Sequence, residues 1–419
     1  MTKTSGNAVS VGLFGLLGSG NLGNNASMES VIRYISAEHP DVVIDAMCTG
    51  PEDVAGRYGV PARTMTWYHD KRVSRLPIVA EKLLGKGIDI FRTALWVRRH
   101  DVVIVPGMGT LEASLPLKSW QLPYAFFLVC ASGRLFRTKV AFVSVGAGVV
   151  KRKATRILLD ASARLAFYRS YRDEPSREMM RARGLDVSRD HVFADLAFGL
   201  PALETEPGDP QLVGIGLMNY RGSNDDRGQA ALIHESYMET MKSFLTWLIE
   251  GGYSVRILMG DENDVKDGVG DEIVAYMRER HPEIEPGRFM TKSASSFEEL
   301  MEEMAPVGTV VAARFHTVVC ALRLAKPVVA LGYAPKFAAL LSPMGLADFC
   351  HTAKFPEIRT LIEQFTELQN RRSGLRQSII EGDAECRRNI TRQFAEVSSV
   401  LVEQPVENRS AVSLGTMGR

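Results

Sequence analysis

Residues 310–337, VVAARFHTVVCALRLAKPVVALGYAPKF, contain two apolar runs that end in chemistry: the first at Arg314-Phe315-His316, the second just before Lys336. A guanidinium fork matches a carboxylate or phosphate, an ammonium holds the same anions as a point charge, and an imidazole exchanges a proton near neutrality. Arg314 and His316, two apart at a strand end, are expected to point the same way. Lys336 closes the next run, so adjacent parallel strands would gather all three at one rim. A lone histidine is more often a core residue; in this company it reads as an acid/base group at an anion site.

Other loops carry related signals. In FYRSYRDEPSREMM, Asp173-Glu174-Pro175-Ser176 reads as a helix start, whose acids suit a first turn. Arg169 and Arg172 do not suit it, and fit better as cations gathering an anion with the helix amides. In GLLGSGNLGNNASMES, glycines 15, 18, 20 and 23 allow close approach of a ligand, and Asn24, Asn25 and Ser27 can cap the next helix. Gly18-x-Gly20-x-x-Gly23 is formally a dinucleotide fingerprint, but Asp41 precedes the second strand rather than ending it. A polar-substrate loop is preferred, with a plain structural turn as the alternative. Gly107 and Gly109 in VIVPGMGTLEA, and Gly146 and Gly148 in SVGAGVV, end two more strands and read as cleft-lining. The acids Asp261, Glu262 and Asp264 in LMGDENDVKDG are read as a solvated loop in preference to a metal site.

Positioning such groups takes a scaffold. VSVGLFGLL, DVVIDAMC, DVVIVPGMG and KVAFVSVGAG in the first half are apolar at nearly every position, as are QLVGIGLM, YSVRILMG, GTVVAARF and KPVVALGY in the second. That is the pattern of parallel strands buried on both faces. Helices are expected at 151–167, 230–250 and 296–304, the last opened by a capping box at Ser295-Ser296. Alternating strands and helices predict an α/β protein: two Rossmann-like, doubly wound domains facing a cleft. The acidic, proline-rich LPALETEPGDPQ divides residues 1–203 from 211–375, and 376–419 reads as a C-terminal helix ending in a frayed tail.

Fifty basic against forty-nine acidic residues in a chain of 419 give no sign of a nucleic-acid-wide electrostatic surface, and leave room only for local basic clusters. Five scattered cysteines without a CxxC pair argue against a disulfide framework or structural zinc. The N-terminal SVGLFGLLGSGNLGN reads as a strand entering a loop rather than a signal peptide, and no apolar run reaches membrane-spanning length. A cytoplasmic protein is expected. WVRRH at 96–100 could touch a membrane peripherally, though a solvated helix end is the plainer reading.

GNLGNNAS, PGMGTLE, YRDEPS, FADLAF with Asp195, and RFHTVVCALRLAKPVVALGYAPK occur in the order of the polysaccharide pyruvyl transferase family, which the chain resembles over roughly 10–350. Asn24 stands where that family usually has aspartate, and Phe315 where an aliphatic residue is common. The resemblance implies a GT-B-like fold and transfer of a pyruvyl group from phosphoenolpyruvate to two hydroxyls of a sugar, free or lipid-linked, with no metal or redox cofactor. It implies His316 as the proton carrier and Arg172, Arg314 and Lys336 as donor ligands. The acceptor would meet Asn21 and Asn24 in a cleft shaped by Gly23, Gly107 and Gly109. The rival readings are a nucleotide-sugar glycosyltransferase on the same fold and a non-catalytic binder of anionic glycans.

Overall fold

The computed structural model describes residues 9–67, 78–112, 120–203, 206–285 and 287–402; the tail from 403 and residues 1–8 lie outside them. Seven parallel strands form the first sheet: β1 (Ser10–Gly15), β2 (Val43–Cys48), β3 (Ala62–Thr64), β4 (Val102–Pro106), β5 (Lys139–Val145), β6 (Tyr168–Tyr171) and β7 (His191–Val192). Six form the second: β8 (Asp209–Gly216), β9 (Ser254–Met259), β10 (Phe289–Ser293), β11 (Val307–Ala312), β12 (Val328–Gly332) and β13 (Cys350–Thr352). Their spatial orders are 3-2-1-4-5-6-7 and 10-9-8-11-12-13. Each sheet is therefore wound outward in both directions from a switch point, between β1 and β4 in one and between β8 and β11 in the other, where ligands bind in this architecture.

The central strands are apolar because helices cover both faces; Val103, Ile104 and Val105 of β4 and Val310 and Val311 of β11 are fully buried. The expected helices form at Lys153–Leu165, Ala230–Glu250 and Phe297–Met304. Ser296 accepts from Glu299 N at 3.1 Å while the Glu299 carboxylate takes Ser295 N at 2.7 Å, a reciprocal cap.

One helix, Ile358–Val402, runs 45 residues unbroken through positions 375 and 376. It leaves the second sheet and docks on the first. Gln393 accepts from Ser170 at 2.8 Å and from Ser144 at 3.0 Å, and Glu396 accepts from the Tyr168 hydroxyl at 2.6 Å. The stretch 376–402 is thus the far half of a strut between the two sheets. Arg323 supports the same junction, donating to Asp383 of this helix at 2.6 Å and to the Leu200 carbonyl.

Candidate active site at the facing switch points

Strand ends from both sheets converge on a cavity of about 110 Å³, lined by Asn21, Gly23, Asn24, Gly109, Glu112 and Arg172 from the first sheet. Asp261, Arg314, Phe315, His316, Tyr333 and Lys336 line it from the second. It adjoins a larger cavity of about 460 Å³ that reaches Gly148, Val149, Asn219 and Arg221 and shares Glu112, Arg172 and Lys336.

The expectation that Arg314 and His316 end a strand needs correction. β11 stops at Ala312; Arg314 is the N-cap of the Phe315–Arg323 helix, and His316 lies in its first turn. Both still line the cavity, because the chain turns from strand to helix at the carboxyl edge of the sheet. Neither this helix nor Pro335–Leu341 has a side chain capping its start. Amides in the first turn of such a helix favour an anion.

His316 packs against Gly23 so closely that a Cβ there would stand 1.8 Å from its Nδ1. Any larger residue at position 23 displaces the imidazole, which explains a glycine inside the Leu22–Glu38 helix. On its other side, His316 Nε2 stands 3.6 Å from Asp195 Oδ2, beyond hydrogen-bond length, and has no hydrogen-bond partner. Asp195 is buried, and that alone would raise its carboxyl; the neighbouring His316 and Arg172 charges and the Ala197 amide outweigh burial and hold it well below the usual carboxylate range.

Arg172, from the loop after β6, is almost wholly buried. Its Nη1 donates to Asp195 at 3.3 Å, its Nη2 is 3.8 Å from Glu112, and its Nε has no hydrogen-bond partner. Lys336 Nζ donates to Glu112 at 3.3 Å. The Phe315 ring sits between the two cations, with Arg172 Cζ 4.8 Å and Lys336 Nζ 5.5 Å from its centroid. An aliphatic residue at 315 could not make either contact.

Other expected site residues are occupied differently. Arg314 makes a two-pronged pair with Asp264, 2.6 Å on each prong, and approaches Asp261 at 3.6 Å. This explains the acidic loop after β9: its carboxylates hold Arg314, and no group of metal-ligating side chains occurs among the described residues. Asn21 caps the Leu22–Glu38 helix through Asn24 N and donates to Asp261 at 2.8 Å, joining the two sheets' loops. Asn24 lines the cavity and donates to the Leu16 carbonyl at 3.2 Å, a bond an aspartate could not give. Gly107 faces Ser27 and does not line the cavity, whereas Gly109 does. Arg169 is removed from the anion site altogether, donating to Asp190 at 2.8 Å.

The dinucleotide fingerprint is closed as well. A Cβ at Gly18 (φ +66°) would stand 2.2 Å from the Gly50 carbonyl oxygen. Asp45, the other acid about twenty positions beyond the glycines, is held by Trp96 Nε1 at 2.7 Å and His100 Nε2 at 3.0 Å. Glu112 and Asp195 are the groups that sequence reasoning did not assign. Both stood in quoted motifs, but their partners lie on other loops.

A family model described as polysaccharide pyruvyl transferase matches residues 21–335. Comparison with curated proteins finds no significant match. Among solved structures, Anabaena HepE in complex with UDP and glucose is 11% identical with a TM-score of 0.58, covering 94% of this chain and 99% of that one. The UDP-GlcNAc 2-epimerase from Neisseria meningitidis bound to UDP-GlcNAc has 11% identity and a TM-score of 0.57, covering 94% and 100%. That from Methanocaldococcus jannaschii has 11% identity and 0.58, covering 93% and 100%. At this identity the likeness is one of fold: two Rossmann-like domains in a GT-B-like arrangement.

Proposed function

Because this chain belongs to the polysaccharide pyruvyl transferase family, we propose that it transfers the pyruvyl group of phosphoenolpyruvate to two hydroxyls of a sugar, forming a ketal and releasing phosphate. The observation that carries the reading is His316 beside buried, ionised Asp195, next to two cations that share the Phe315 ring.

Phosphoenolpyruvate brings a phosphate and a carboxylate to one carbon. Arg172 and Lys336 supply two fixed positive charges for them, and the uncapped start of the Phe315–Arg323 helix supplies amides. Glu112, which shares both cations here, is displaced from them by the donor. Arg314 is assigned to holding the loop of Asp261 and Asp264, because its fork is filled. His316, whose Nε2 makes no hydrogen bond, gives its proton to the methylene carbon and C2 becomes electrophilic. A sugar hydroxyl adds to C2 and its proton returns to the imidazole. Phosphate leaves with the C2–O electron pair, and the second hydroxyl closes the ketal and gives its proton to the released phosphate. The larger adjoining cavity, with Asn219 and Arg221, is the acceptor's approach. Neither a metal nor a redox cofactor enters this balance.

The test is incubation with phosphoenolpyruvate and a panel of glycosides, reading phosphate release and a matching mass gain on the sugar. Thermal-shift screening separates the rival: stabilisation by UDP-sugars and none by phosphoenolpyruvate would favour a nucleotide-sugar enzyme. Glycan affinity without phosphate release would favour a binder.

A further inference from the structure

The helix Ile78–Val97 has an outward face that its position does not explain. Its inward side buries Asp89, Thr93, Trp96 and Val97. Leu84, Ile88, Phe91 and Leu95, at helical spacings of four, three and four, form a stripe opposite. Phe91 is 72% exposed, and Leu84 and Leu95 are more than half exposed. The neighbouring helix Leu122–Phe136 continues the pattern: Trp120, just before it, is 65% exposed and Leu135 near its end 73%. Lys86 lies over Tyr124 and Arg98 over Phe136, so the two helices run side by side. Lys153–Leu165 flanks the second of them, with Ile157 more than half exposed.

The charge on this face is one-sided. Residues 84–100, 120–137 and 149–165 carry eleven lysines and arginines against two aspartates, in a chain whose totals are fifty and forty-nine. Both aspartates, Asp89 and Asp160, are buried. Arg98, Arg99, Arg134, Arg137, Arg152 and Arg156 are exposed. Among the described residues no helix is long and apolar enough to cross a membrane.

We propose that the face formed by helices Ile78–Val97, Leu122–Phe136 and Lys153–Leu165 docks on an anionic lipid surface, its apolar side chains entering the interface and its arginines meeting the headgroups. Large apolar side chains interleaved with exposed arginines are what such a surface selects. A nucleic acid would use the cations and leave Phe91, Leu95 and Leu135 in water. The placement also suits the active site. Leu122 and Phe126 of the second helix wall the small cavity, and Val149, ahead of the third, lines the larger one. An acceptor carried on a lipid would therefore reach the cleft without leaving the surface. The docking itself does not depend on which reaction the cleft performs.

Flotation of the full chain with phosphatidylcholine vesicles, with and without 30 mol% phosphatidylglycerol (roughly the anionic content of a charged leaflet), tests this. The protein is expected to float with the anionic vesicles and to be released by salt. Phe91→Glu/Leu95→Glu and, separately, Arg152→Glu/Arg156→Glu should each lose the bound fraction, by roughly fivefold or more per contact removed. Both should keep the wild-type melting temperature. Absence of wild-type flotation overturns the proposal. So does retained flotation in both variants, or a wild-type dimer that Phe91→Glu/Leu95→Glu dissociates while flotation persists, which would make the face an interface between copies. Preferential binding of an oligonucleotide that strips the protein from vesicles counts against it equally.

Discussion

Arg323 and Lys326 sit ten residues or more before Lys336, in the same motif; they are buried where Lys336 is only partly so, and the two regions use charge differently. Arg323 reaches Asp383 at 2.6 Å, and Lys326 donates to the carbonyls of Ala305 at 2.7 Å and Glu206 at 2.9 Å. Arg314 belongs with them, through its two short contacts to Asp264. In the cavity the contacts are long: 3.3 Å for Lys336, 3.3 and 3.8 Å for Arg172, and 3.6 Å for His316. Short contacts mark cations that hold the protein together. The long ones belong to the groups to which the proposed mechanism assigns the ligand, and among them His316 Nε2 makes no hydrogen bond.

That division can be broken by substitution. His316→Ala should reduce turnover about 10²–10⁴-fold, the usual contribution of acid/base catalysis, with an unchanged melting temperature; full activity removes His316 from the mechanism. Arg323→Ala should do the reverse. It leaves Asp383 with Arg387, 3.1 Å away, as its remaining partner and the Leu200 carbonyl without this donor, costing about 1–3 kcal/mol in chemical denaturation, while activity per folded molecule persists. Lys336→Ala should raise the KM for phosphoenolpyruvate more than it lowers kcat, and Glu112→Gln should lower that KM by removing a competing carboxylate. The smallest effect concerns Lys326, whose ammonium burial pushes down from 10.5 to about 8. Between those values the unfolded chain binds more protons than the folded one, so this lysine makes stability rise with pH from about 8 to 10.5. In Lys326→Met that contribution should vanish from the difference between the two pH–stability curves.

The sequence was most readable where burial was most complete. All eight strands read from apolar runs exist. The five not read, β3, β6, β7, β10 and β13, lie at or next to sheet edges and are partly exposed. Their residues have no reason to be uniformly apolar. YRSY was read as part of a charged loop because half of β6 faces outward. In the site, His316 and Lys336 were legible from their motif. The pairing of Arg314 with the β9 loop was not, since fifty residues separate it from Asp264. Nor was Asn21 with Asp261, 240 residues apart. The first depends on the strand order within one sheet and the second on how the two sheets meet, and local patterning encodes neither.

The Ile358–Val402 helix constrains how the cleft can move. At 45 residues it is roughly 68 Å long, rooted beside the second sheet and bonded near its far end to the first through Glu396 and Ser398. A hinge that swung the domains apart would have to tear those bonds or bend the rod. Such a motion would also break the bond from Asn21 to Asp261, so the two sheets are tied at the cleft as well as along the strut.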